Sequence, residues 1–199
     1  GATGAAAGGG DDAKQRRATP DLANVPMECV VLQTEFGDVT FRLLGEAAPS
    51  TVANFEALVD AGVYNGASFY RAEPNFCLQG GAVSVDGVAR PSPYAAVPLE
   101  YKVPNHRGMV SMARTSDPNS ATTEFSIMLG DNSQWLGPGG SDAYGYAVFA
   151  RVAAGWDVVQ QIAAQPAQNE DGMTSLTPRV AILQARREHC PAHVREAGL

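Results

Sequence analysis

The residue types that perform covalent catalysis are thinly spread in this chain. His106 is the only histidine between residues 27 and 188, and no serine and carboxylate near it complete a nucleophile–base set. The spacings GxxxxGKS/T, HExxH and GxSxG are missing, as is a GxGxxG after a strand pattern. Cys29, Cys77 and Cys190 match no CxxC or zinc-ribbon spacing, and the tail group His189-Cys190 with His193 is not read as a metal site. No metal or cofactor is therefore expected. What the chain offers is Ser68-Phe69-Tyr70-Arg71 followed closely by Phe76-Cys77-Leu78-Gln79-Gly80-Gly81. A guanidinium, an aromatic ring and an amide bind, orient and polarise; they do not form covalent intermediates.

Such groups need a frame. The chain has 199 residues, 45% hydrophobic and 18% charged, which suits one folded domain and not a disordered chain. Fourteen Lys and Arg against 21 Asp and Glu leave a net charge of −7. That balance argues against nucleic-acid binding, which needs a basic face, and against docking on anionic membranes. No apolar run approaches the roughly 18–20 residues that cross a bilayer. Residues 1–26 are Gly- and Ala-rich, then charged, and read as a flexible lead-in left by processing or truncation. A domain over 27–188 and a tail over 189–199 follow.

Within the domain, Cys29–Thr34 and Val39–Leu43 flank the turn residues of Glu35-Phe36-Gly37-Asp38, which predicts a hairpin with one buried face. Pro49 opens a helix whose Val52, Phe55, Leu58 and Val59 recur at helical spacing until Gly62. Short strands are expected at 68–71, 76–79, 108–113, 124–129 and 145–151, a second helix at 155–164, and a closing strand around Val180, Ile182 and Leu183. Residues 80–107, punctuated by Pro91, Pro93, Pro98 and Pro104, read as functional loop. Short strands, Gly/Pro turns and two helices make the chain mainly β, a closed antiparallel barrel or a sandwich.

Further motifs follow in order: Gly108-Met109-Val110-Ser111-Met112-Ala113-Arg114, Ser120 to Ile127, Trp135-Leu136, and Gly145 to Val152. With the two segments around Arg71 and Gln79, this set resembles the cyclophilins, the cyclosporin-binding peptidyl-prolyl cis-trans isomerases. The resemblance runs from about Cys29 to Glu188, and Tyr70, Arg114 and Tyr146 look more like the bacterial and organellar branch. It implies an eight-stranded antiparallel barrel capped by two helices, acting on X-Pro bonds in peptides and proteins as a monomer. It also makes the first and last strands neighbours, so that Cys29 and Cys190 come near disulfide distance; two free thiols are the alternative. A bond would favour an oxidising lumen or organelle, free thiols the cytoplasm.

By resemblance, Arg71, Phe76 and Gln79 are the catalytic set. Cys77, Ser126, Leu136 and Tyr146 belong to the proline pocket, Ala113 and Arg114 to main-chain contacts along the peptide groove, and Trp135 to the cyclosporin-contacting position. Three departures stand out: Cys77 for the usual Met, Glu124 for Gln, and Ser126 for Phe. Losing the Phe ring predicts a wider, more polar pocket floor and attenuated turnover. Glu124 is expected near substrate and paired with Arg71. The competing reading is a cyclophilin-fold binding or assembly module with little turnover.

Overall fold

In the computed structural model, which describes Pro26 and residues 28–196, the hairpin forms as its alternation predicts. Strand β1 (Cys29–Thr34) pairs antiparallel with β2 (Gly37–Leu43), from Cys29↔Arg42 to Thr34↔Gly37. Gly37 turns the chain at φ +124°, a conformation that disfavours a side chain. Val39, Phe41 and Leu43 are buried while Asp38, Thr40 and Arg42 face outward. The lead-in expected over residues 1–26 lies, apart from Pro26, outside the described residues.

Helix α1 (Pro49–Asp60) begins with proline in its first turn and has no side-chain cap from Ala48. Its free amides are taken by a distant carboxylate: Ser50 N and Thr51 N donate to Glu100 at 3.0 and 2.9 Å. That arrangement satisfies two N-terminal donors and places negative charge where the helix dipole favours it. Thus part of the Pro-punctuated loop serves to cap a helix.

The remaining elements are β3 (Ala67–Glu73), β4 (Cys77–Ser84), β5 (Met109–Met112), β6 (Phe125–Met128), β7 (Val148–Ala154), α2 (Trp156–Ala163), β8 (Ala167–Glu170), β9 (Met173–Glu188) and α3 (Ala192–Glu196). The strands run in the order β1-β2-β7-β5-β6-β4-β3-β9, and β9 pairs back onto β1. Every pairing is antiparallel, so eight strands close a barrel. The ninth, β8, stands outside the cycle as a hairpin partner to the start of β9, from Ala167↔Leu176 to Glu170↔Met173. The closing strand is thus much longer than its apolar residues suggested, and α3 is a helix beyond the two expected.

The barrel interior is filled by rings. Phe41, Phe55, Tyr64, Phe69, Phe125 and Phe149 are fully buried. Phe125 meets Phe41 edge-on at 5.7 Å and Phe69 at 5.9 Å, geometries that add to area burial. Helix α1 contributes Phe55 and Leu58, and α2 contributes Val159 and Ile162, to this one core. A ligand must therefore sit outside the barrel wall.

Among the described residues, the segment after β9 is tied back to the barrel. Cys29 and Cys190 form a disulfide, and both pack with Val194 in a small buried cluster. The Val194 carbonyl accepts from Arg42 Nη1 at 2.9 Å and Arg151 Nη2 at 3.3 Å. These contacts dock Cys190 and Val194 against β1, β2 and β7.

Candidate active site

Strand alternation builds the site. Leu78, Val110, Met112, Phe125 and Ile127 point into the core, which leaves Cys77, Gln79, Ser111, Ser126 and Met128 on the outer face. Register then sets them in rows: Cys77 opposite Met128, Gln79 opposite Ser126, and Ser126 opposite Ser111. Cys77, Met128 and Leu136 form a buried apolar cluster against Phe76, Met109 and Tyr146. With Arg71, Met112, Ala113 and Arg114 these residues, Met109 excepted, line a cavity of about 180 Å³. One end is apolar, the other carries the guanidinium and the amide.

Arg71 owes its direction to a bulge. Against β4 the register of β3 shifts between Phe69 (opposite Gly80) and Arg71 (opposite Gln79), so Tyr70 is the extra residue; against β9 the same step runs from Val180 to Ser175, where the extra residues lie on β9. Beyond it Arg71 lies opposite Gln79, and its Nη1 donates to Gln79 Oε1 at 3.2 Å. Its Nε stands 3.4 Å from Glu73 Oε1. Glu73 in turn accepts from Thr174 N at 2.9 Å and Thr174 Oγ1 at 3.1 Å, tying the β8–β9 hairpin to the site. The Thr174 amide above all, with its hydroxyl and Arg71, holds the Glu73 carboxyl below its usual range. Glu73 was not among the sequence candidates; its place two residues along one strand from Arg71 was the available signal.

This geometry meets a consistent set of relatives. The family model for cyclophilin type peptidyl-prolyl cis-trans isomerase/CLD matches residues 29–187. A peptidyl-prolyl cis-trans isomerase from Acinetobacter baylyi is 39% identical over 149 residues, 73% of this chain and 75% of that protein. Peptidyl-prolyl cis-trans isomerase A of Dickeya dadantii is 34% identical, covering 85% and 88%. The chain belongs to the cyclophilin-type peptidyl-prolyl cis-trans isomerase family. Among solved structures, a cyclophilin from Hirschia baltica superposes with a TM-score of 0.65 at 22% identity, covering 81% of this chain and 74% of that one. A Cryptosporidium parvum cyclophilin type isomerase, crystallised in the presence of the dipeptide Ala-Pro, gives 0.64 at 22% identity, covering 81% and 99%. Both support the fold.

Within this cyclophilin, the structure brings most candidates together: Arg71, Phe76, Cys77, Gln79, Ala113, Arg114, Ser126, Leu136 and Tyr146 all line the one cavity. It adds Ser111, Met112 and Met128. The first and last were legible in hindsight, as the residue opposite Ser126 and the residue two along from it. Trp135 stands aside, 59% exposed, in an adjoining open hollow that also touches Arg71 and Phe76.

Glu124 departs from expectation. Its carboxylate accepts from the Tyr70 hydroxyl, from Ala82 N at 3.0 Å and from Thr123 Oγ1 at 3.0 Å. The carboxylate fills the space that a side chain at residue 81 would need, so Gly81 opens the slot. The expected Arg71–Glu124 ion pair is absent; Glu73 is the carboxylate beside Arg71. Glu124 does not line the cavity.

Arg114 is nearly fully buried and works as a brace. It pairs with Asp142 Oδ2 at 2.6 Å, donates to Gly145 O at 2.6 Å, and lies 4.2 Å over the Tyr146 ring. The hydrogen bond from Arg114, then those from the Gly145 and Tyr144 amides, hold Asp142 below the usual carboxylate range. The Ala113 amide is committed to the Glu124 carbonyl at 2.9 Å. Burial pushes the Cys77 thiol up to about 11, so it stays protonated at neutral pH and acts as a small apolar wall.

Proposed function

We propose that this cyclophilin rotates X-Pro bonds with the proline ring held against Phe76, Leu136 and Tyr146 and with Arg71 as the donor to the twisted amide. Amide resonance sets a barrier of about 18–20 kcal/mol. As the bond twists, the proline nitrogen regains its lone pair and accepts a hydrogen bond that the planar amide cannot. A guanidinium at that point binds the transition state more tightly than either planar isomer. Arg suits the task because it stays charged and holds its donors in a rigid fork. Gln79 orients that fork. Each step is a change in hydrogen bonding, with no covalent intermediate.

The observation that carries this reading is the Arg71–Gln79 pair at the rim of an apolar-walled cavity. Exchange NMR on a short X-Pro peptide tests it. Acceleration by the wild type, lost in Arg71→Ala and poorly restored by Arg71→Lys, is the expected result. Binding of the peptide with no acceleration would instead favour the binding-module reading, to which the missing aromatic ring at Ser126 lends support. A monomer is proposed as the working unit, and Trp135 as a contact for a macrocyclic peptide such as cyclosporin. The Cys29–Cys190 bond supports an oxidising compartment, which non-reducing mass spectrometry of protein from its native source would check.

A further inference from the structure

We propose that the cavity recognises ring-hydroxylated proline, so that X-(4-hydroxyproline) bonds are substrates favoured over X-Pro bonds, with Ser126 and Ser111 as the groups that bind the ring hydroxyl. This rests on the isomerase reading for the placement of the ring and adds the substrate class. Of the five ring atoms, C3 and C4 lie farthest from the amide nitrogen, and C4 is the one farther from the carbonyl that follows. With the amide at the Arg71–Gln79 rim, C4 points toward the row that crosses β4, β6 and β5.

That row is Gln79, Ser126 and Ser111, set side by side by register and facing outward together. Ser111 lines the cavity and is only 1% exposed, and its hydroxyl opens onto the cavity space without a hydrogen bond to the described residues. Ser126 faces the Cys77 thiol, a weak partner, and its hydroxyl makes no stronger hydrogen bond among the described residues. Where the family places a phenyl ring, this chain places a hydroxyl and the room for one more oxygen. A serine donates and accepts, so a C4 hydroxyl bridging the two donates to one and accepts from the other. Sites built to hydrogen-bond a substrate hydroxyl discriminate against the analogue without it.

The test is exchange NMR on matched peptides that differ only in Pro or 4-hydroxyproline, with both C4 epimers. For the wild type, kcat/KM for the better epimer should exceed that for Pro by roughly three- to tenfold, the span of one net hydrogen bond. Ser126→Ala and Ser111→Ala should each bring that ratio toward one, and Ser126→Phe should invert it. A wild-type ratio of one or less overturns the proposal, as does a ratio that neither alanine variant moves. If no peptide is accelerated, the isomerase reading fails by itself. The ratio of dissociation constants for the same peptides then decides the hydroxyl preference in the same way.

Discussion

The Tyr70 hydroxyl donates to the Glu124 carboxylate beside the β3 bulge. A carboxylate only accepts, so the phenolic proton is committed to Glu124. One residue further along β3, Arg71 Nη1 donates to Gln79 Oε1 at 3.2 Å. Burial foremost, and the negative charge of Glu124, push the Tyr70 ionisation well above its ordinary value, so the donor role is stable at any physiological pH.

Tyr70→Phe leaves the Glu124 carboxylate short of a donor. A hydrogen bond to a charged acceptor contributes about 1.5–3 kcal/mol, and a loss of that order is expected in urea unfolding. Glu124→Gln keeps shape and one acceptor and should lose less. Equal losses in the two variants would mean that the carboxylate charge has no special part.

Ser126→Phe restores the ring that the family usually has. Because Glu124 lies off the cavity, this single change should suffice to tighten the pocket on unsubstituted proline. Returning one phenyl face to contact predicts roughly a tenfold rise in kcat/KM for X-Pro peptides, on the scale of 1–2 kcal/mol of apolar contact. An unchanged value would show that the floor does not limit turnover.

The wall of the site was legible from the chain because motif order and strand alternation act locally. Arg71, Phe76, Gln79, Leu136 and Tyr146 converge as expected. The direction of Glu124 was not legible, since it depends on the bulge at Tyr70 and on the space left by Gly81, both settled by pairing between strands. Strand β8 reads Ala-Gln-Asn-Glu and is exposed throughout, so it carries no apolar period to detect. The tail helix is five residues long and is held by tertiary contacts, not by its own propensity.

Cys190→Ser opens a link between residues 161 apart in sequence. Constraining so long a loop in the unfolded chain, together with the packing of Val194, predicts a loss of about 2–5 kcal/mol. Urea midpoints of the variant and of the reduced wild type should coincide, both below the oxidised wild type. A reduced wild type as stable as the oxidised one would remove the bond from the account of stability.

The Arg114–Asp142 pair makes a prediction with a sign. Asp142 is held below its usual range by Arg114 and by the Gly145 and Tyr144 amides. A depressed carboxyl favours the folded state once the unfolded group is ionised, above about pH 3.9. That contribution is complete at neutral pH and is lost as pH falls through the lower folded value. Asp142→Asn removes the charge while keeping an acceptor for the two amides. The gap in urea midpoint between wild type and variant should therefore be largest at pH 7 and shrink below about pH 4. Because the same pair braces the Tyr146 ring, the variant should also raise KM for X-Pro peptides more than it lowers kcat. A gap that stays constant from pH 7 to pH 3 would leave the hydrogen-bonded shape of the loop, and not its charge, as what holds the pocket wall.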